Sequence, residues 1–144
     1  MAETQPRIGY IGVGLMGHGA ARNIQDNGYA LTVLGHRNRG PVEDLVQRGA
    51  REARCPAEVA ATSDIVFTCL PSSVAVEQTV LGRDGLLSTC RPGMIHVDST
   101  TAEPASTRRL AAEYVGRGAA MVDASVGRTP KEAEAGTLST FIGG

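Results

Sequence analysis

The sequence predicts an α/β fold: a doubly wound, mostly parallel sheet with helices on both faces. Three observations carry this. Short apolar runs alternate with amphipathic stretches along the chain, at spacings that suit strand–helix–strand crossovers. The apolar runs are nearly unbroken, as in strands covered on both faces. A glycine-rich turn, Gly12-Val13-Gly14-Leu15-Met16-Gly17, follows the first of them.

Each element has its own local reason. Residues 7–11 read as the first strand and residues 14–27 as the first helix, stopped by Gly28. Residues 30–34 form a second strand. Residues 41–48 form a second helix, opened by Pro41, whose fixed φ suits a first turn, and closed by Gly49. Residues 50–53 make a short third strand, and residues 56–62 a helical turn. Residues 64–70, D-I-V-F-T-C-L, are the strongest strand, and Pro71 stops them. Residues 72–80 read as helix, with turns at Gly82 and Gly85. Residues 93–98 are a strand, introduced by Arg91-Pro92-Gly93, and residues 104–115 a clear helix. A sixth strand spans 119–124, a short helix 129–135 and a seventh strand 137–142. That last strand either forms a sheet edge or marks where a longer chain continues.

Composition narrows the function. The chain has 144 residues, enough for one domain with a real core. Hydrophobic residues at 42% and charged residues at 20% exclude disorder as the default. Lys+Arg of 14 against Asp+Glu of 15 leaves no basic excess for nucleic acid or an anionic membrane. Aromatics are only 3% and Trp is absent, which speaks against base-stacking platforms. The cysteines Cys55, Cys69 and Cys90 suit neither a disulfide framework nor a zinc site. No run reaches membrane-spanning length, and the polar start lacks a signal-peptide core, so a cytoplasmic location is expected.

The glycine turn is G-x-G-x-x-G. Its first Gly permits a tight turn, its second lets backbone approach a pyrophosphate, and its third allows helix–strand packing. Following a strand and opening a helix, it predicts a dinucleotide site at Gly12, Gly14, Leu15, Met16 and Gly17. His18 follows, either as a phosphate contact or as a polar residue of the first helical turn. An acid after the second strand would hydrogen-bond the ribose hydroxyls and repel a 2′-phosphate. Here Gly35 stands there, and His36, Arg37, Asn38 and Arg39 supply donors and positive charge. NADP(H) is therefore expected over NAD(H), unless this is only a solvated basic turn. Ligands lie beyond the carboxyl ends of strands, so Cys69, Leu70 and Pro71 are expected to wall the cofactor. Asp98-Ser99-Thr100-Thr101 either caps the next helix or binds the nicotinamide end. After the sixth strand, Ser125, Gly127, Arg128 and Thr129 face the same crevice, where an arginine can clamp an acidic substrate.

Taken in order, these motifs resemble the cofactor-binding domain of the β-hydroxyacid dehydrogenases, a family that includes 3-hydroxyisobutyrate and 6-phosphogluconate dehydrogenases. Carrying the resemblance are residues 12–17, Leu70-Pro71, Asp98-Ser99-Thr100-Thr101 with Pro104, and the stretch from Asp123 through Gly136-Thr137-Leu138 to Gly143-Gly144. The family's substrate motif reads D-A-P-V-S-G-G, then A-x-x-G-T-L. Asp123, Ala124, Val126, Ala133, Gly136, Thr137 and Leu138 match it. Ser125 replaces its Pro, and Gly127-Arg128-Thr129 replaces Ser-Gly-Gly, which is similar to the 3-sulfolactaldehyde reductase branch.

The resemblance implies a Rossmann-type domain of an oxidoreductase acting on a small anionic β-hydroxyacid or semialdehyde, and the turn at residues 35–39 makes NADP the expected cofactor. It implies Thr100 at the nicotinamide end, and Thr101, Ser125, Gly127, Arg128 and Thr129 around the substrate. Family members are about twice as long. Their catalytic lysine opens a helix beyond Gly144, and Lys131, the only lysine here, does not match it. The chain is therefore expected to be a truncated domain over residues 1–144, inactive alone, without a metal, and homo-oligomeric only at full length. An NAD-dependent 3-hydroxyisobutyrate-type domain, an imine reductase-like enzyme and a non-catalytic dinucleotide module are the alternatives.

Overall fold

The computed structural model describes residues 3–127 and 129–144. Seven strands form one sheet in the order β3-β2-β1-β4-β5-β6-β7. β1 (Ile8–Ile11), β2 (Leu31–Leu34), β3 (Arg51–Ala53), β4 (Ile65–Thr68), β5 (Ile95–Asp98) and β6 (Ala120–Gly127) run parallel. β7 (Ser139–Gly143) pairs antiparallel to β6 at the edge. Between them lie α1 (Gly17–Asp26), α2 (Gly40–Gln47), α3 (Pro56–Ala61), α4 (Ser73–Leu81), α5 (Pro104–Val115) and α6 (Pro130–Ala135). A short 3₁₀ turn covers Leu86–Ser88.

Side chains alternate across each strand, so the sheet separates two apolar clusters. Ile8, Tyr10, Leu31 and Val33 pack with Ala21, Val42 and Leu45 of α1 and α2. Ile11 and Val66 pack with Val59, Val76, Val80, Leu110 and Tyr114 of α3, α4 and α5. Tyr10 and Phe67, register partners on β1 and β4, stack with centroids 5.6 Å apart. At the strand starts Asp64 accepts from the Arg7 amide at 2.8 Å and from its guanidinium at 3.0 Å. Those bonds pull the Asp64 carboxyl down to about 2.

The predicted α/β class and strand–helix order are observed, with shifted boundaries. α1 begins at Gly17 rather than at residue 14, because residues 12–16 turn sharply before the helix starts. β4 ends at Thr68, so Cys69 and Leu70 belong to the following loop. β6 runs on to Gly127 instead of stopping at 124, since β7 supplies it with an antiparallel ladder from Asp123↔Gly143 to Gly127↔Ser139. Between these strands, α6 is opened by a reciprocal Thr129–Glu132 capping box and ended by left-handed Gly136 (φ 73°).

Candidate functional site

The strand order reverses between β1 and β4, the position where open α/β sheets place ligands. A cleft of about 530 Å³ opens there. Its walls are the loop after β1, the turn after β2, the loop after β4 and one face of α4. Gly12 takes φ 96°, and a Cβ there would lie 2.1 Å from the Cys69 carbonyl oxygen. A Cβ on Gly17 would lie 1.8 Å from the Gly12 oxygen. A Cβ on Gly14 would meet nothing within 4 Å and would project into open space. Among the described residues, no protein acceptor takes the amides of Gly14, Leu15 or Met16. The loop therefore presents open backbone and donor groups at the start of α1, a cradle whose chemistry fits a pyrophosphate.

Of the expected cofactor residues, Gly12, Gly14, His36, Asn38, Cys69, Leu70 and Pro71 line this cleft. Leu15, Met16, Gly17, Arg37, Arg39 and Thr100 do not; Leu15 is 82% exposed. Sequence reasoning missed the α4 face, where Ala75, Gln78 and Thr79 complete the wall. The signal was their i, i+3, i+4 spacing directly after Pro71.

The turn after β2 differs from its basic reading. Arg39 points back to β3, with Nη1 and Nη2 donating to the Glu52 carboxylate at 2.5 and 3.0 Å. Hydrogen bonding from Arg39 holds the Glu52 carboxyl below its ordinary range. Asn38 Oδ1 accepts from the Gly40 amide at 3.2 Å and shapes the entry to α2. Among the described residues, Arg37 pairs with no carboxylate.

A buried polar chain joins the ends of β4 and β5. Thr68 Oγ1 donates to Asp98 Oδ1 at 2.8 Å and therefore accepts from His96 Nε2, also at 2.8 Å. Asp98 Oδ1 also accepts from the Thr100 amide at 3.0 Å, and Thr100 Oγ1 accepts from the Leu70 amide at 2.9 Å. The Thr100 hydroxyl thus ties together the loops at the cleft floor. The helix-capping alternative fails: Glu103 is the N-cap of α5 and makes no side-chain cap bond.

The expected substrate segment forms an arm rather than a loop. Ser125 and Gly127 lie on β6, opposite Phe141 and Ser139. Thr129 hydrogen-bonds Glu132 in the capping box, and Thr101 is exposed. Arg128 lies outside the described residues. The arm docks on α1, where a Cβ on Gly19 would fall 2.5 Å from the Glu134 amide nitrogen. Asn23 Nδ2 donates to the Ala133 carbonyl at 2.9 Å. The His18 ring is set between two carboxylates. Its Nδ1 lies 2.7 Å from Glu134 and its Nε2 2.8 Å from Asp44. Burial works against a charged His18, but these two carboxylates prevail and raise its pKa.

Among the described residues, no group of three or more His, Cys, Asp or Glu side chains could hold a metal. None of their helices is long and apolar enough to cross a membrane.

Sheet order, glycine cradle and cleft together define a dinucleotide-binding domain of the doubly wound class. Residues 7–144 match the model of the NAD binding domain of 6-phosphogluconate dehydrogenase, and the chain belongs to that family, as an N-terminal domain of the β-hydroxyacid dehydrogenase type. It is 40% identical, over 98% of its length and 44% of the relative, to a probable mitochondrial 3-hydroxyisobutyrate dehydrogenase-like protein of Arabidopsis thaliana. It is 36% identical, over 100% of its length and 26% of the relative, to human cytokine-like nuclear factor N-PAC. The structure resembles Mycobacterium tuberculosis 3-hydroxyisobutyrate dehydrogenase with L-serine, with TM-score 0.88, 26% identity and coverage of 98% of this chain and 47% of that one. It also resembles a reductive aminase of Aspergillus terreus with NADPH, with TM-score 0.76, 29% identity and coverage of 90% and 44%. The chain thus spans less than half the length of these relatives.

Proposed function

We propose that this chain is the cofactor-binding domain of an NADP(H)-dependent oxidoreductase acting on a small anionic β-hydroxyacid or semialdehyde. One observation carries the cofactor preference. The cleft wall after β2 has Gly35 where an acid would bar a 2′-phosphate, with His36 lining the cleft and an unpaired Arg37 beside it. When bound, the dinucleotide supplies hydride chemistry. The chain's own part is to hold it. Gly12 and Gly14 bring backbone close to the pyrophosphate, Arg37 faces the 2′-phosphate, and Leu70 and Thr100 fix the cleft floor. Arg128, with Ser125, Gly127 and Thr129, is the substrate-anion segment on sequence grounds. A relative with bound NADPH supports the reading. The three cysteines, free among the described residues, suit a reducing compartment, and cell fractionation distinguishes the cytoplasm from the mitochondrial location in the names of two relatives.

Titration of the chain with NADPH and NADH, followed by nicotinamide fluorescence, tests the preference. NADPH is expected to bind tighter. Arg37→Ala is expected to weaken NADPH by roughly tenfold, the scale of one lost charged hydrogen bond, while leaving NADH nearly unchanged. Equal or tighter NADH binding by the unmodified chain overturns the reading. A second reading, a dinucleotide module without turnover, draws support from the likeness to a relative named as a nuclear factor. Binding without turnover in the whole protein would favour it.

A further inference from the structure

We propose that Glu52 is a specificity-determining residue of the cleft: it holds the Arg39 guanidinium against Gly35 and leaves the cofactor's 2′-phosphate to Arg37. The proposal deepens the NADP(H) reading and rests on it.

Three features carry the inference. First, the end-on fork of Arg39 is occupied. Both terminal nitrogens face Glu52 oxygens, and Nε lies 3.7 Å from Glu43. A guanidinium recognises phosphate through the same parallel donors, so Arg39 can offer that end-on fork to a phosphate only by leaving Glu52. Second, the pair packs directly against Gly35, a residue of the cleft wall. A Cβ on Gly35, which lines the cleft, would lie 2.2 Å from Arg39 Nη1 and 2.7 Å from Glu52 Oε1. Glycine at this position therefore makes room for a guanidinium–carboxylate plate. Third, the acid comes from another strand. Register pairs Val33 with Glu52, so β3 delivers a carboxylate to the turn after β2. Glu52 cancels the charge of Arg39, and the turn is left with one uncompensated arginine, Arg37.

The test is a titration of the chain and its Arg37→Ala, Arg39→Ala, Glu52→Gln and Arg39→Ala/Glu52→Gln variants with NADPH and NADH at one salt concentration. The readout is the ratio of the two dissociation constants. Neutralising Glu52 frees the Arg39 fork, so Glu52→Gln is expected to raise the preference for NADPH roughly fivefold, the difference between a charge-assisted and a neutral hydrogen bond. The double variant is expected to lose that gain, because the gain acts through Arg39. Arg39→Ala alone leaves the Glu52 carboxylate uncompensated beside Gly35 and is expected to lower the ratio, whereas the double variant, which removes both charges, is expected to stay within about twofold of the unmodified chain and Arg37→Ala to collapse the ratio. An unchanged ratio in Glu52→Gln overturns the proposal, and so does a gain that survives removal of Arg39. So does a loss in the double variant as large as that of Arg37→Ala, and Glu52→Ala, alone and with Arg39→Ala, repeats the comparison if Glu52→Gln fails to fold. Failure of the NADP(H) reading looks different: the unmodified chain would then show no preference for NADPH.

Discussion

His96 lies inside the sheet, and burial drives its pKa down to about 3. The folded protein therefore holds a neutral imidazole, donating through Nε2 to Thr68. The unfolded chain titrates near its ordinary 6.5. Between those values only the unfolded state takes up the proton, so this contribution falls as pH drops below 6.5. Going from pH 6.5 to 5 is expected to cost about 2 kcal/mol, read as a falling urea midpoint. His96→Gln keeps a donor toward Thr68 but cannot titrate, and it is expected to flatten the slope. An equally steep slope in the variant would reject this account. Asp64 acts in a lower window: its depressed carboxyl stabilises the fold above its ordinary 3.8 and loses that effect as pH falls through about 2. The buried chain was half legible. His96 and Asp98 stand two apart on β5 and so share a face, but that Thr68 opposes Asp98 depends on strand register.

At the scale of elements, the strands and most helices were legible because local rules set them: apolar runs, Pro71, Pro41, and glycines past helix ends. What local rules left open was decided by contacts across the sheet. The start of α1 is set by Gly12 against the Cys69 carbonyl, and the length of β6 by β7. Likewise, the β2 turn reads as purely basic until β3 brings Glu52 beside it. The docking of α6 on α1 is also non-local, and it centres on His18, which links it to α2. Around it stand Arg22 and Asp26 of α1, Asp44 and Arg48 of α2, and Glu134 of α6, linked by ion pairs. A protonated His18 brings the named cations and anions to equal number; a neutral one leaves an excess of negative charge. A raised folded pKa stabilises the fold below the ordinary 6.5 and ceases to do so as pH rises through the folded value. The His18 ring resonance is expected to titrate above 6.5 by NMR, and to shift downward in both Asp44→Asn and Glu134→Gln. Titration at or below 6.5 in the unmodified chain would refute this role for the helix contact.

At the scale of the whole molecule, the turn after β2 and the β6–β7 ladder rise from opposite ends of the sheet, and α6 reaches back from that ladder to α1. β2 and β6 are four strand spacings apart, roughly 19 Å. The cleft between them is open, and Lys131 lies exposed on α6. On the proposed reading, proton transfer at a substrate oxygen needs a general acid beside the nicotinamide, and among the described residues the one imidazole on the cleft wall, His36, stands in the turn assigned to the 2′-phosphate. Such a group contributes roughly 10²–10⁴-fold. The 144-residue chain is therefore expected to bind NADPH yet to oxidise it with small β-semialdehydes no faster than a protein-free blank. A spectrophotometric assay at saturating cofactor checks this. Turnover in the ordinary range of an intact enzyme would show that the chain carries a complete catalytic set.

The glycine cradle has a consequence for how this sequence can drift over generations. Gly12 and Gly17 are fixed by collisions inside the protein itself, so selection for folding alone would keep them. Gly14 collides with nothing in the protein, and only a guest in the cleft could object to a methyl group there. A lineage that gave up its dinucleotide would be free to rewrite the fourteenth letter while the twelfth and seventeenth stayed put. Two of the three glycines therefore record the history of a shape, and the middle one records the history of a habit.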